Sequence, residues 1–417
     1  MSRRDAAAGV APAPLAGLFV LAFALLSTYA IARPATESLF LERYGAESLP
    51  YVWIAVAITA AVVVVVYNRF SAGRDLARVF GVMCAISAAL LVLLILAYDA
   101  GVPGATFALY VWKDIYIVVL VEVFWSIANN TFEVTSAKKL YGLFCAVGAL
   151  GGIAGNLSVG PLASQVGTAS TLWVVPVVLG LVGFGGSRLA ATLSAKRPVV
   201  AAKPSFGEGF AVVMKSRYLG LMALPIIVVQ ISINLVDYEY NRFLAYSYPD
   251  TDARTQIIGR IYAAIDFGSI SLQVLTGAIL KYAGVGGTLI AIPMLLAAAV
   301  SAFVAVPRFL SIAAGKVLSK ALDYSLFRAA KEILYIPLDY DAKTRGKAVV
   351  DMLVYRFAKG LASAVILAVT AWWGKDASLG VLTLGFIVVW LVITVTIVRR
   401  YRSIDERQTA SPGPGTP

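Results

Sequence analysis

The sequence predicts an all-α membrane protein of twelve transmembrane helices in two six-helix bundles. Three observations carry this. Of 417 residues, 60% are hydrophobic and 14% charged, with a mean hydropathy of +0.83. A soluble domain is about 45–50% apolar and about 25% charged. Apolar runs of about 20 residues, the length that crosses a bilayer, recur along the chain. A basic, less apolar stretch at 191–217 divides these runs into six and six.

The first span, 15–33, follows Arg3 and Arg4, which makes a cleavable leader the competing reading. Eleven further spans and the lack of a clear small-residue cleavage site set that reading aside. The second (50–67) and third (78–98) are continuous apolar runs. The fourth (105–129) carries Lys113, Asp114 and Glu122. The fifth (141–161) contains G-A-L-G-G-I-A-G from Gly148 to Gly155. No strand precedes it and no Gly-Lys-Ser/Thr follows, so it is not a phosphate loop; small residues at this spacing let membrane helices approach closely. The sixth (170–190) is apolar, and the seventh (218–236) runs into Asp237, Glu239 and Arg242. The eighth (259–281) holds Asp266 and Gln273, and the ninth (287–306) is apolar. The tenth (311–335) is the least hydropathic, the eleventh (346–371) holds Arg356 and Lys359, and the twelfth is 377–398. The expected organisation is a bundle over 1–190, a cytoplasmic linker over 191–217, a second bundle over 218–402 and a disordered tail over 403–417.

The net charge of +12 is an orientation signal here, not a nucleic-acid footprint. With the N-terminus inside, segments on that side hold 22 Lys and Arg residues against seven outside, which puts both termini in the cytoplasm of a bacterial inner membrane. Cys84 and Cys145 read as small core residues. The chain has no histidine, so any proton coupling falls to carboxylates. No nucleophile–base set, metal site or nucleotide-hydrolysing loop is legible, and neither enzyme activity nor a cofactor is expected.

Six basic residues fall inside the spans away from their ends: Lys113, Lys316, Lys320, Arg328, Arg356 and Lys359. Each costs about 2.5–3.5 kcal/mol at mid-helix facing lipid, so each must face a cavity, pair with an acid or reach the interface. At 100° per residue, Lys316, Lys320, Asp323, Phe327 and Lys331 form one polar stripe on the tenth span. Lys113-Asp114 in the fourth span has an internal echo in Lys320 and Asp323 of the tenth. Asp266 has no sequence-local partner and is a cavity candidate. The end of the seventh span reads equally as a solvated rim or a site. Buried cations mixed with carboxylates and tyrosines favour an organic anion as solute, because ammonium and guanidinium groups replace its hydration shell.

The stretch from Lys331 to Asp351 carries a resemblance. Lys331, Glu332, Tyr335, Ile336, Pro337, Leu338, Asp339, Lys343, Gly346, Lys347, Ala348 and Asp351 resemble the signature of the nucleotide (ATP/ADP) transporters of intracellular bacteria and plastids. A second block agrees: Tyr110, Val111, Asp114, Phe124, Trp125, Ala128, Asn129, Ala137, Lys138, Lys139, Tyr141 and Phe144. The resemblance implies a major-facilitator-like fold and nucleotide exchange, with Asp114 at the place of a functionally important acid. At the end of the first span the family typically has Arg, two residues, Lys, then Asp. Arg33 and Glu37 keep that type here, and Thr36 stands where the lysine would be, marking a divergent member.

The expected function is secondary transport of a nucleotide or related organic phosphate by alternating access. The expected solute contacts are Arg33, Lys113, Asp114, Asp266, Lys316, Lys320, Asp323, Lys331, Glu332 and Lys359. The alternatives are a proton-coupled carrier of another organic anion, such as a siderophore or carboxylate, and a non-transporting receptor. The expected partners are the solute and the lipid bilayer, with no nucleic acid, and the chain is expected to be a monomer.

Overall fold

The computed structural model describes residues 12–71, 73–132, 134–194, 217–334, 355–374 and 378–410. These residues are almost wholly helical. The chain runs through α1 (Pro12–Tyr44), a 3₁₀ turn (Ala46–Ser48), α2 (Leu49–Ser71), α3 (Leu76–Asp99), α4 (Ala105–Thr131), α5 (Val134–Val166) and the single turn α6 (Thr168–Thr171). It continues through α7 (Val174–Ser194), α8 (Arg217–Ser247), α9 (Thr251–Ala305) and α10 (Phe309–Leu322). A π turn (Asp323–Phe327) leads to α11 (Arg328–Leu334), followed by α12 (Tyr355–Trp373) and α13 (Gly380–Ala410). The predicted linker from 195 to 216, the signature from Tyr335 to Asp351, and residues 411–417 lie outside the described residues, as does the side chain of Arg356.

Among the described residues, eight helices are long and apolar enough to cross a membrane. Helix α4 is not one of them, although its 27 residues suffice in length. Its charges Lys113, Asp114 and Glu122 interrupt the apolar run. The 55-residue α9 is two helices joined at Gly284, whose φ of 66° breaks the helical path. Only glycine adopts that conformation without strain. Helix α3 begins where Asp75 accepts from the backbone N–H groups of Ala77 and Arg78, satisfying two orphan donors of its first turn.

The chain forms two compact units. Unit 1 comprises Met1–Ala201 with Leu244–Phe267, and unit 2 comprises Ala202–Phe243 with Gly268–Pro417. In unit 1, α1 packs on α4, α5 and α7, and α3 packs on α4 and α7. Its core includes Leu18, Leu25, Phe80, Tyr116, Leu120 and Phe144. The α4–α5 block that carries the family resemblance is largely packing. Phe124 meets Trp125 edge-on, Trp125 meets Tyr141, and Phe124 meets Phe144. The start of α9 is tied to the rest of unit 1. Arg254, only 3% exposed, donates to Ser38 Oγ and Ser38 O, and Asp252 Oδ1 accepts from the Thr168 N–H and hydroxyl at 2.7 Å each. In unit 2, Trp390 is buried edge-on to Phe327.

The glycine run of α5 is a helix-packing face. A Cβ on Gly151 would lie 2.2 Å from Phe23 O of α1, and one on Gly155 would lie 2.6 Å from Ser27 O. Ser27 Oγ donates to Gly151 O at 2.9 Å across the same contact. Gly148 is looser, its nearest neighbour being the Leu26 side chain at 3.6 Å. Gly151→Ala should therefore lower stability by about 1–3 kcal/mol, because backbone must move. Gly148→Ala should be neutral or stabilising. Thermal unfolding in detergent checks the pair, and equal midpoints would refute the close-approach argument.

Cys145 departs from the core position expected for it: Cys84 is buried and Cys145 exposed. On a membrane helix an apolar side chain can face lipid as comfortably as the protein interior, so an apolar context does not imply burial among side chains.

Candidate functional site

Unit 1 gathers polar and charged groups from four helices, each contributing residues four apart and so on one face. Helix α1 brings Tyr29, Arg33 and Glu37. Helix α5 brings Gly152 and Asn156, and α9 brings Tyr262 and Asp266. Helix α4 adds Tyr110, Lys113 and Asp114. Lys113 is 1% exposed. Its Nζ lies 3.0 Å from Asp114 Oδ1, 3.8 Å from Glu37 Oε1 and 3.8 Å from the centre of the Tyr110 ring. Tyr29 Oη donates to Asp114 Oδ1 at 3.0 Å, and Trp53 Nε1 donates to Tyr110 Oη at 3.0 Å. The Arg33 guanidinium lies 3.4 Å from the centre of the Tyr262 ring and 5.0 Å from that of Tyr29. The Tyr262 hydroxyl donates to the Glu37 carboxylate at 3.0–3.1 Å. Asp266 accepts from Asn156 Nδ2 at 2.9 Å and is, with Glu37, an acidic neighbour of Arg33. Gly152 makes room for this: a Cβ there would come within 3.1 Å of Asp266 Oδ2.

Thr36 sits in the midst of this face and does not join it. It is buried, and its hydroxyl donates to Ala32 O at 2.8 Å and Arg33 O at 3.2 Å. A hydroxyl turned back onto its own helix adds nothing to the charge balance.

Unit 2 repeats the device with other residues. Lys316 is also 1% exposed, and its Nζ lies 3.8 Å from the centre of the Tyr240 ring and 3.6 Å from Asp237 Oδ1. Lys320 Nζ lies 2.7 Å from Asp237 Oδ2. Lys359 is a further cationic neighbour of Asp237, and Asp323 a further acidic neighbour of Lys320. Asp323 is buried and accepts from Gln230 Nε2 at 3.5 Å. In each unit one buried lysine rests on a tyrosine face, with Glu37 and Asp114 beside the Lys113 ammonium and Asp237 beside that of Lys316. Cation–π contact of a desolvated ammonium contributes about 2 kcal/mol, which helps offset its removal from water.

Several expectations change. The sequence echo related Lys113 and Asp114 to Lys320 and Asp323; by environment Lys113 corresponds to Lys316, and each lies about two turns from the start of its helix. The stripe from Lys316 to Lys331 divides along its length: Lys316 and Lys320 bind Asp237, Asp323 and Phe327 line one small cavity, and Phe327 borders the next with Lys331. The π turn at Asp323–Phe327 inserts a residue into the helical register, so phase holds to Asp323 and shifts beyond it. Lys331 instead lines an apolar cavity with Met222, Pro225, Leu289, Leu334 and Thr394, and Glu332 beside it is half-buried. The solvated-rim alternative for the seventh span fails: Asp237 is bound by two lysines, and Glu239 is buried against Arg242 and the Leu379 N–H. Arg328 is exposed, outside the polar cluster.

The sequence did not single out Tyr29, Asn156, Tyr240 or Tyr262, and Tyr110 entered only with the block of family resemblance. The four-residue spacings Tyr29–Arg33–Glu37 and Tyr262–Asp266 were the available signal. Among the described residues, no group of three or more His, Cys, Asp or Glu side chains could hold a metal ion.

The model of the TLC ATP/ADP transporter family matches residues 186–401, just over half of the chain. The chain belongs to this family. It is a family of transporters, not of enzymes. ADP,ATP carrier protein 1 of Chlamydia muridarum is 25% identical over 462 aligned positions, covering 90% of this chain and 86% of that protein. ADP,ATP carrier protein 1 of Rickettsia bellii is 26% identical over 275, covering 57% of this chain and 55% of its own length. ADP,ATP carrier protein 2, chloroplastic, of Arabidopsis thaliana is 24% identical over 346, covering 71% and 54%. Solved structures share the fold. The nucleoside transporter NupG superposes with a TM-score of 0.65 at 12% identity, over 95% of this chain and all of that one. A bacterial homologue of the iron transporter ferroportin gives 0.69 at 10% identity, over 92% and 98%. The TLC chain therefore shares the multi-helix fold of these transporter structures.

Proposed function

We propose that this chain exchanges nucleotides or related organic phosphates across a bacterial inner membrane by alternating access. The observation that carries the reading is the pair of buried lysines, Lys113 and Lys316, each stacked on tyrosine and paired with at least one carboxylate in a member of the TLC ATP/ADP transporter family. Burying such ions costs several kcal/mol apiece, and structure alone is better served by apolar residues. Ionisable groups at membrane depth accordingly mark solute pathways.

In this reading, phosphate oxygens displace Asp237 as partner of Lys316, Lys320 and Lys359, and Lys331 guides the anion from α11. Asp323 and Glu332 balance these cations between solutes. The twelve spans form two bundles of six, divided over 191–217, with both termini cytoplasmic and the chain monomeric. Exchange of like anions needs no titrating histidine.

Liposomes loaded with unlabelled ADP and containing the purified protein should take up labelled ADP. Empty liposomes should take up at least about tenfold less, the counter-substrate being required to return the carrier. Uptake independent of internal nucleotide would overturn exchange. Gradient-driven uptake of a different organic anion, with none of nucleotide, would overturn the solute class.

A further inference from the structure

The unit 1 cluster is poorly made for phosphate. Arg33 and Lys113 stand against Glu37, Asp114 and Asp266, three carboxylates to two cations. Lys113 lies between Glu37 and Asp114, and Glu37 and Asp266 border Arg33. A phosphate group offers only acceptors and brings more negative charge, so it meets a formal surplus of its own sign here.

Two buried atoms show what the cluster does lack. Arg33 Nε, a donor, has no acceptor among the described residues, and Asn156 Oδ1, an acceptor, has no donor. Asn156 is 1% exposed and its other amide atom is committed to Asp266. Leaving such groups unpaired costs about 1–3 kcal/mol each. They flank the same carboxylate, since Asp266 is bonded by Asn156 and borders Arg33. The complementary ligand group is therefore neutral and presents a donor and an acceptor along one edge. Nucleobases with an exocyclic amino group beside a ring nitrogen, such as adenine, have that edge. Tyr29 and Tyr262 supply aromatic faces on the same cluster.

We propose that the unit 1 cluster of Arg33, Asn156 and Asp266 receives the nucleobase end of the solute. Its surplus carboxylate makes the carrier favour nucleotides of few phosphate charges. This rests on the nucleotide-transport reading above and narrows it: Arg33 and Asn156 are specificity-determining residues for the base, and Asp266 sets the charge the solute can carry.

The test is competition against labelled ADP uptake in ADP-loaded liposomes holding the full chain. AMP should compete at least about tenfold better than ATP, the equivalent of about 1.4 kcal/mol. AMP should also compete at least about fivefold better than purine riboside 5′-monophosphate, which lacks the exocyclic amino donor. Asp266→Asn removes the surplus charge while keeping an acceptor for Asn156, and should bring ATP to within about twofold of AMP. Thr36→Lys adds a cation to the same helix face and should move the ratio the same way if Asp266→Asn fails to fold. ATP outcompeting AMP in the unaltered protein, or equal competition by AMP and the analogue, overturns the proposal. Absence of uptake of every nucleotide would instead fail the transport reading itself, and this inference with it.

Discussion

Asp237→Ala is expected to destabilise the protein by about 3–5 kcal/mol and to abolish transport, because it removes the carboxylate that two lysines share. Lys316 is 1% exposed and cannot reach water without moving its helix. Lys320→Met should be milder, at about 1 kcal/mol or less in stability. It leaves Asp237 bound to Lys316, with Lys359 as a further cationic neighbour, and keeps the apolar stem. Thermal midpoints in detergent, read beside exchange activity in liposomes, separate the two variants. If Asp237→Ala is no less stable than Lys320→Met, the shared carboxylate is not what holds these cations.

Lys113→Ala is expected to cut exchange at least about a hundredfold, the loss of one charge-assisted contact in a dry site. It should also destabilise, since Glu37 and Asp114 then face each other across the gap that the ammonium filled. Adding Asp114→Asn to that variant relieves the repulsion. The double variant should recover most of the lost stability while its exchange stays low. Recovery of both would make Lys113 a structural ion-pair partner and no part of the transport pathway. Tyr110 sharpens the test: its ring lies 3.8 Å under the ammonium and its hydroxyl already accepts from Trp53. The pocket keeps its shape when the charge is gone.

Much of the fold was legible because membrane insertion is a local rule. A helix in lipid satisfies every backbone group within itself, so apolar run length alone announces it. The helical stretches 49–71, 76–99 and 134–166 each enclose an expected span. The break at Gly284 falls between the expected eighth and ninth spans. Charge inside an apolar run was just as visible, which is why Lys113, Asp114, Asp266, Lys316, Lys320 and Asp323 stood out before any geometry was known. The glycines of α5 were readable as a packing face for the same reason: their spacing is a property of one helix.

What the sequence left undecided was partnership. Asp237 read as a possible solvated rim because nothing near it in sequence is basic until Arg242. Its partners Lys316 and Lys320 come from a helix about 80 residues on. Asp266 lacked a local partner for the same reason, and Asn156 reaches it across 110 residues. A fixed 100° step along the tenth span does not foresee the five-residue π turn at Asp323–Phe327, beyond which the helical phase changes. Thr36 could be seen to replace a lysine, but only the folded helix shows its hydroxyl spent on the backbone beside it. Hydropathy is additive along the chain, so one dimension suffices to find the helices. Ion pairing depends on which helix faces meet, and that is decided only once they pack.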